Sequence, residues 1–305
     1  MQARVAIILV NWNGYAMTKD CINSILENPS SAYQIVVVDN GSTDGSVQKL
    51  REAFPQIHLI ASSENLGFTG GNNLGMRWAL EQGFDYSFLL NNDTFVGSGF
   101  LEPMLTFMDE HPQTGAVQPR ICFAHDQSLI WNAGAAYHPW LGIATTRGYN
   151  KTDGPQFAQT MPLDWITGCA FFIRNEVLRQ IGLFEPAFFT YYEDVDLSFR
   201  IVKAGYGLHY LPTSVIYHIA GMSGKTIAKG KEGYLHASVH YHNVRNRIWI
   251  WRRYSQVWNW PSILAYHLFY FVGMLLYFLM RGRLEKLAAT WKGIRDGFGK
   301  VSSGN

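Results

Sequence analysis

Cysteine is scarce in this chain: three in 305 residues, Cys21, Cys122 and Cys169, with no CxxC spacing. An odd, scattered set argues against a disulfide framework or a thiolate zinc site and for a reducing compartment. Formal charge is thin as well, at 16% of residues and a net +2, while 48% are hydrophobic and 15% aromatic. Such a chain is too apolar for disorder and long enough to bury a large core. No nucleic-acid partner is expected. The apolar run Val5–Val10 is only six residues long and has no small-residue cleavage site after it, so no signal peptide is expected. Neither GxxxxGK[ST] nor a strict GxGxxG occurs, which counts against an ATP-hydrolysing P-loop enzyme and a simple NAD site. Internal repeats and low-complexity linkers are missing too, and residues 1–225 read as one domain.

What is present is unevenly distributed. Residues 245–300 carry ten Lys and Arg against Glu285 and Asp296, so a tail at +8 follows a body at −6. Five of the ten tryptophans lie in that tail. Tyr254–Met280 has no formal charge over 27 residues, long enough to span a bilayer or to lie in one leaflet. Arginines flank both ends, which leaves orientation open. After it, Leu284, Leu287, Ala288, Trp291 and Ile294 share one helical face. Residues 226–305 are therefore expected to be helical and to meet a membrane surface, with a buried core or dimer helix as the alternative.

The first 120 residues alternate apolar runs with helical periodicity. Strands are expected at Val5–Val10, Gln34–Asp39, Ile57–Ala61 and Tyr86–Asn91, and helices at Met17–Glu27, 44–54, Thr69–Gln82 and Gly99–Glu110. That alternation predicts βαβ units and a mostly parallel sheet, with the loops after each strand on one rim. From Arg120 to Met161 the period dissolves, and loops or irregular strands are expected. Leu163–Ile173 reads as a strand, Asn175–Ile181 and Asp194–Ala204 as helices, Leu208–Leu211 and Ser214–His218 as two short strands, and His236–Arg253 as a helix.

Polar motifs cluster at the strand ends. Asn11-Trp12-Asn13-Gly14 follows the first strand, and Asp39-Asn40-Gly41-Ser42-Thr43-Asp44 follows the second, with Asp44 placed as a helix N-cap. Asn65-Leu66-Gly67-Phe68-Thr69-Gly70-Gly71-Asn72 enters a helix, where glycines allow backbone N–H groups to approach a phosphate. Asn91-Asn92-Asp93 ends the fourth strand and suits a hard divalent cation that keeps water and substrate oxygens in its shell. Glu193, Asp194 and Asp196 crowd a helix start.

In order, NWNG, VVVDNGSTDGS, NLGFTGGNN, LLNNDT, TGCAFFIR, YYEDVDLSFR and the later His218 resemble the inverting, GT-A-fold family 2 glycosyltransferases, bacterial rhamnosyltransferases most of all. The likeness covers roughly residues 4–225. It implies an α/β fold of Rossmann-like character, a nucleotide-sugar donor, a divalent metal (Mg2+ or Mn2+) and single displacement at the anomeric carbon.

Position by position, the resemblance puts Asp39 against the pyrimidine base with Asn11 and Asn13 nearby. It sets Asn65, Gly67 and Asn72 along the nucleotide and diphosphate, and Asn91 and Asn92 in the donor site. Asp93 and His218 become metal ligands, and Asp194, paired with Glu193, the catalytic base. Asn91 stands where the family's DXD motif has its first acid, the one feature favouring an inactive nucleotide-sugar-binding scaffold instead of an enzyme. dTDP-L-rhamnose is the donor the resemblance suggests, with a lipid-linked or polysaccharide acceptor. Arg245 and Arg247, with Asn246 between them, and Asp196 are candidates for contacting that acceptor. The expected location is the cytoplasmic face of a bacterial inner membrane, peripheral, monotopic or single-span, with a homo-oligomer allowed.

Overall fold

A computed structural model describes residues 3–220, 225–230 and 232–299. Lys300, counted above in the basic tail, lies outside the described residues, as do residues 1–2 and 301–305 at the outer ends of the two expected domains.

The N-terminal half follows the expected alternation: β1 (Val5–Asn11), α1 (Tyr15–Leu26), β2 (Tyr33–Asn40), α2 (Ser46–Ala53), β3 (His58–Ser62), α3 (Gly67–Glu81), β4 (Tyr86–Leu90), β5 (Thr94–Val96) and α4 (Leu101–Glu110). β3, β2, β1 and β4 lie side by side and parallel. Successive β1 side chains feed opposite faces: Val5, Ile7 and Leu9 pack under α1 and α4, Ala6 and Ile8 under α3. That is why the strand reads as an unbroken apolar run. Because the four strands are parallel, Asn11, Asp39-Asn40 and Asn91 emerge together on one rim.

Beyond β4 the sheet is mixed, and several expectations give way. β6 (Thr114–Phe123) is a ten-residue central strand where the fading period suggested loops from Arg120 on. Gln118, Pro119 and Arg120 break its apolar pattern. β7 (Leu129–Asn132), β8 (Ala135–His138), β9 (Ile143–Thr146), β10 (Lys151–Thr152) and β11 (Met161–Pro162) follow. The expected strand over Leu163–Ile173 shrinks to β12 (Ala170–Arg174), antiparallel to β4 and β6, because Thr167-Gly168 turns the chain first. After α5 (Asn175–Ile181) and α6 (Glu193–Lys203), the two short strands are one, β13 (Gly207–His218). Its register on β6 slips between Leu211 and Val215, opposite Pro119-Arg120. Proline has no N–H to offer a neighbouring strand, so a bulge is the fitting pairing there.

The C-terminal region is α7 (Ala237–Tyr254), α8 (Trp260–Met280) and α9 (Leu284–Phe298). A boundary near 225 would set α7 apart from the body, yet Trp249 and Ile250 pack with Phe188, Val195, Trp165 and Ala135. Each such buried side chain contributes roughly 1.5–3 kcal/mol. α9 turns the unexpected way. Lys286, Thr290, Gly293 and Gly297 are buried, while Leu284 and Trp291 point outward, Trp291 at 63% exposure. The glycines explain it: a Cβ on Gly293 would meet the Tyr241 carbonyl at 2.8 Å, and one on Gly297 would meet Ile248 at 2.8 Å. Close backbone approach to α7 therefore selects the small-residue face and leaves Leu284, Ala288 and Trp291 of the apolar one outward, while Ile294 at its margin packs against Val244, Ile248 and Trp251.

Candidate active site

The rim begins as a side-chain network. Asn11 Nδ2 donates to Asp39 Oδ2 at 2.7 Å and to Ser42 Oγ at 3.2 Å, while its Oδ1 accepts from Thr18 Oγ1. The Ser42 N–H donates to Asp39 Oδ1. Asn13, left-handed at φ 50°, accepts from the Thr43 N–H, and Trp12 stands exposed beside it. Asp39 is fully buried with both oxygens engaged. Asp39 thereby organises Asn11 and Ser42 at the rim. Asp44 also differs from expectation. It accepts from the Ser46 N–H and hydroxyl, but left-handed Gly45, not Asp44, occupies the N-cap of α2.

The glycine-rich loop is likewise turned to internal use. The Gly67 N–H donates to Asn65 Oδ1, and the Thr69 N–H to the Phe189 carbonyl. Asn72 is buried and donates to the Phe68 carbonyl. A Cβ on Gly71 would fall 2.8 Å from Val10 and one on Gly75 2.4 Å from Ile8, so these glycines let α3 lie close on β1. Gly67 (φ 72°) admits Phe189, whose ring and carbonyl lie 2.5 Å from the position of a Cβ. The backbone N–H of Gly67, expected along the diphosphate, and that of Thr69 are therefore partnered within the chain, and Asn72 faces inward. Asn40, which the sequence did not single out, ties this loop to β2 by donating to Asn65 and Gly67 and accepting from Leu66.

Two of the expected partners do meet, across 125 residues of chain. His218 Nε2 lies 3.1 Å from Asp93 Oδ1, both buried, because β13 pairs with β5 immediately after Asp93. Burial works against charge on His218, but Cys169 and the Asp93 carboxylate outweigh it and raise the imidazole's pKa; a cation held between the two residues would displace that proton and leave a neutral nitrogen donor. The edge of Trp131 stands against the ring, at 4.5 Å between centroids. Asn92 donates to Thr18 Oγ1.

The segment Thr167-Gly168-Cys169 joins this pair to the acids of α6. The Asn91 N–H donates to the Cys169 carbonyl, and the Gly168 N–H donates to Asp194 Oδ2 at 2.9 Å. Gln118 accepts from the Thr167 N–H, so β6 braces the turn. Burial raises the Asp194 carboxyl to about 6 even though the Gly168 and Val195 N–H groups pull it down. Glu193 is pushed well above the usual carboxylate range by burial and then by the Asp194 charge, and its buried Oε2 has no partner. The two carboxyls titrate as a coupled pair, both held above the usual carboxylate range by their shared burial. Both line a cavity of about 520 Å³, with Thr145, Thr146, Trp165 and Asn243 on its other walls.

A raised carboxyl pKa has a stability consequence. The contribution is complete below the ordinary carboxylate range and is lost as pH rises through the raised value, so at pH 7.5 the pair destabilises the fold. Glu193→Gln, which cannot ionise, is expected to raise Tm at pH 7.5, by roughly 2–4 °C per kcal/mol recovered, and to leave Tm near pH 4 unchanged. Thermal unfolding at both pH values checks it.

Asp196 is not presented to an acceptor. It is fully buried, paired with Arg200 at 2.9 Å and Arg253 at 2.6 Å, and accepts from the Tyr254 hydroxyl. Arg245 donates to the Ala187 and Phe188 carbonyls and stacks on Trp249, and Arg247 donates to the Tyr192 hydroxyl. These contacts, too, are internal. Phe189, Tyr191 and Tyr192 are all left-handed, at φ 64°, 66° and 68°, each at a cost of roughly 1 kcal/mol or more.

Among known proteins, residues 6–182 match the family described as Glycosyl transferase family 2. The N-acetylglucosaminyl-diphospho-decaprenol L-rhamnosyltransferase of Mycobacterium tuberculosis is 25% identical over 244 residues, 74% of this chain and 77% of that one. The dTDP-rhamnosyl transferase RfbF of Shigella flexneri is 21% identical over 254 residues, 83% of this chain and 81% of its own. Of solved structures, the mannosyltransferase PcManGT from Pyrobaculum calidifontis, in complex with GDP-Man and Mn2+, aligns over 98% of this chain and 88% of its own, with TM-score 0.59 and 15% identity. GalNAc-T7 with UDP, GalNAc and Mn2+ aligns over 73% of this chain and 44% of that one, with TM-score 0.61 and 17% identity.

Proposed function

The chain belongs to glycosyl transferase family 2, and from that premise we propose an inverting, metal-assisted rhamnosyltransferase that works on a lipid-linked acceptor at a membrane surface. The observation that carries the reading is the arrangement around Thr167-Gly168-Cys169, with Asp93 and His218 on one side and Asp194 above a cavity on the other.

The Asp93 oxygen and His218 nitrogen face each other at the separation two ligands of one cation adopt, and an O,N donor pair suits Mn2+ or Mg2+. Among the described residues no cluster of three or more His, Cys, Asp or Glu forms a complete metal cage. Two protein ligands fit a cation shared with a diphosphate, which would fill the remaining positions with oxygen. A metal there supplies charge to stabilise the departing nucleoside diphosphate. Asp194, ionised at neutral pH and fixed by the Gly168 N–H, accepts the proton of the acceptor hydroxyl as its oxygen bonds to the anomeric carbon. The open cavity beside it gives the acceptor room to reach the carboxylate.

Rhamnose as the sugar and a polyprenyl diphosphate as the acceptor carrier rest on the mycobacterial and Shigella relatives. Screening dTDP-L-rhamnose, UDP-N-acetylglucosamine and GDP-mannose by thermal shift with Mn2+ tests the donor; stabilisation by the dTDP sugar alone is expected. Stabilisation by another donor instead removes rhamnose, and stabilisation by none removes the enzyme reading.

For the membrane, α8 and the 3-10 turn before it form one stretch, Val257–Met280, long and apolar enough to cross a bilayer and mostly unburied. Phe269, Leu276 and Met280 share an outward face, with Phe269 and Met280 both 78% exposed, and the free apolar face of α9 extends it. A surface of that size, flanked by arginines, fits insertion into the headgroup and acyl boundary. Replacing Phe269, Leu276 and Met280 together by Glu leaves the packed faces intact, so the expected result is loss of co-sedimentation with anionic phospholipid vesicles. Retained sedimentation removes the membrane reading.

A further inference from the structure

The contacts between α7 and the loop before α6 carry more than packing. Asn246, fully buried on α7, directs its side-chain N–H groups to three backbone carbonyls: Phe188 at 3.0 Å, Thr190 at 2.8 Å and Tyr191 at 2.8 Å. Its Oδ1 accepts from Arg245 Nε at 2.8 Å, which sets the direction of the amide. Arg245 itself grips the Ala187 and Phe188 carbonyls. The gripped segment holds the three left-handed residues Phe189, Tyr191 and Tyr192, and Glu193-Asp194 follow at once. On its other side, Phe189 accepts from the Thr69 N–H and fills the space left by Gly67. The loop is thus clamped between the donor-side glycine loop and α7, in a backbone shape that non-glycine residues do not hold unaided.

We propose that Asn246, oriented by Arg245, is a positioning residue for the transfer step, fixing the Phe189–Tyr192 loop so that Asp194 stands in reach of the acceptor hydroxyl. The role rests on Asp194 being the base. It gives Arg245 and Asn246 a task other than binding acceptor phosphate, and it makes α7 part of the catalytic body. The same helix carries α9 on its other side, so the base is connected through one rigid element to the region that would meet lipid.

The test uses the full chain, dTDP-L-rhamnose with Mn2+, and N-acetylglucosaminyl-diphospho-decaprenol. Asn246→Ala is expected to lower kcat by about 100-fold, the scale of a misplaced catalytic group, with both KM values little changed. Amide hydrogen exchange over 188–194 should accelerate while the parallel strands keep their protection. The specific signature is coupling. In a Phe189→Gly background one of the three residues takes the left-handed backbone freely, so Asn246→Ala should cost several-fold less than in the wild type. Unchanged exchange over 188–194, an unchanged kcat, a rise confined to the acceptor KM, or the same factor in both backgrounds overturns the proposal. Asp194→Asn, measured in parallel, separates the two readings. Retained turnover in that variant refutes the base while accelerated exchange in Asn246→Ala still reports the clamp.

Discussion

Asp194→Asn is expected to abolish sugar transfer, with kcat falling on the order of 10³-fold, the weight of a general base, while nucleotide binding stays within a few-fold of wild type. The amide keeps the shape of the carboxylate and can still accept from the Gly168 N–H through its oxygen, although its NH2 then faces the Val195 N–H and that weaker contact is lost as well. What it loses is the ability to take a proton. The pH profile separates this from a folding defect. In the wild type kcat should fall as pH drops through about 6, where burial places the Asp194 carboxyl, because the protonated acid no longer accepts. In the variant the residual rate should lack that limb. A full rate with the limb intact assigns the base elsewhere, and Glu193, its coupled neighbour in the same cavity, is then the group to change next.

Asp93→Ala carries the second large effect. It removes the carboxylate 3.1 Å from the buried His218 imidazole. Titration of Mn2+ in the presence of dTDP should show the metal-dependent part of nucleotide binding lost, and transfer should fall by at least about 100-fold, the range seen when charge stabilisation of a leaving group is removed. His218→Ala should show a smaller loss, since a neutral nitrogen contributes less than a carboxylate to a hard cation. Metal titration identical to wild type in Asp93→Ala takes the cation out of this site.

Asn91, where relatives with DXD carry an acid, bears on both results. It leaves Asp93 as the single carboxylate of the motif, so the loss from Asp93→Ala should not be buffered by a neighbour. Its backbone, not its side chain, does the visible work, donating to Cys169 and accepting from Thr94.

The parallel half of the sheet was legible because its signals are local. Four apolar runs, helical spacing between them and polar strand ends fix β1 to β4 and the rim without reference to any distant residue. β6 was not legible, since a strand covered on both faces and interrupted by Pro119 shows neither alternation nor a continuous run. The run from Leu163 misled for the complementary reason: burial made it apolar, but the turn at Gly168 is required by a carboxylate 26 residues later. Trp131 left no signal, being a single residue in a stretch without a period, and Asn243 is one polar residue of a helix whose cavity-facing side the sequence does not mark. α9 shows the limit of amphipathic reading, because the pattern locates an apolar face but does not say whether protein or lipid covers it.

By itself, then, the sequence determined the family, the α/β order of the first 110 residues, and which acids and amides sit at strand ends. Those properties follow from short-range patterning and from motifs whose residues are adjacent in the chain. Only the tertiary structure decided which of them meet and which are partnered within the protein. Asp39, Asp196 and Asn72 are hydrogen-bonded internally; Asp93 and His218 converge; Glu193 and Asp194 are both raised by one shared burial. Partner choice and desolvation depend on atoms brought together from 26 to 125 residues apart, and neither is written in the neighbours of a residue along the chain.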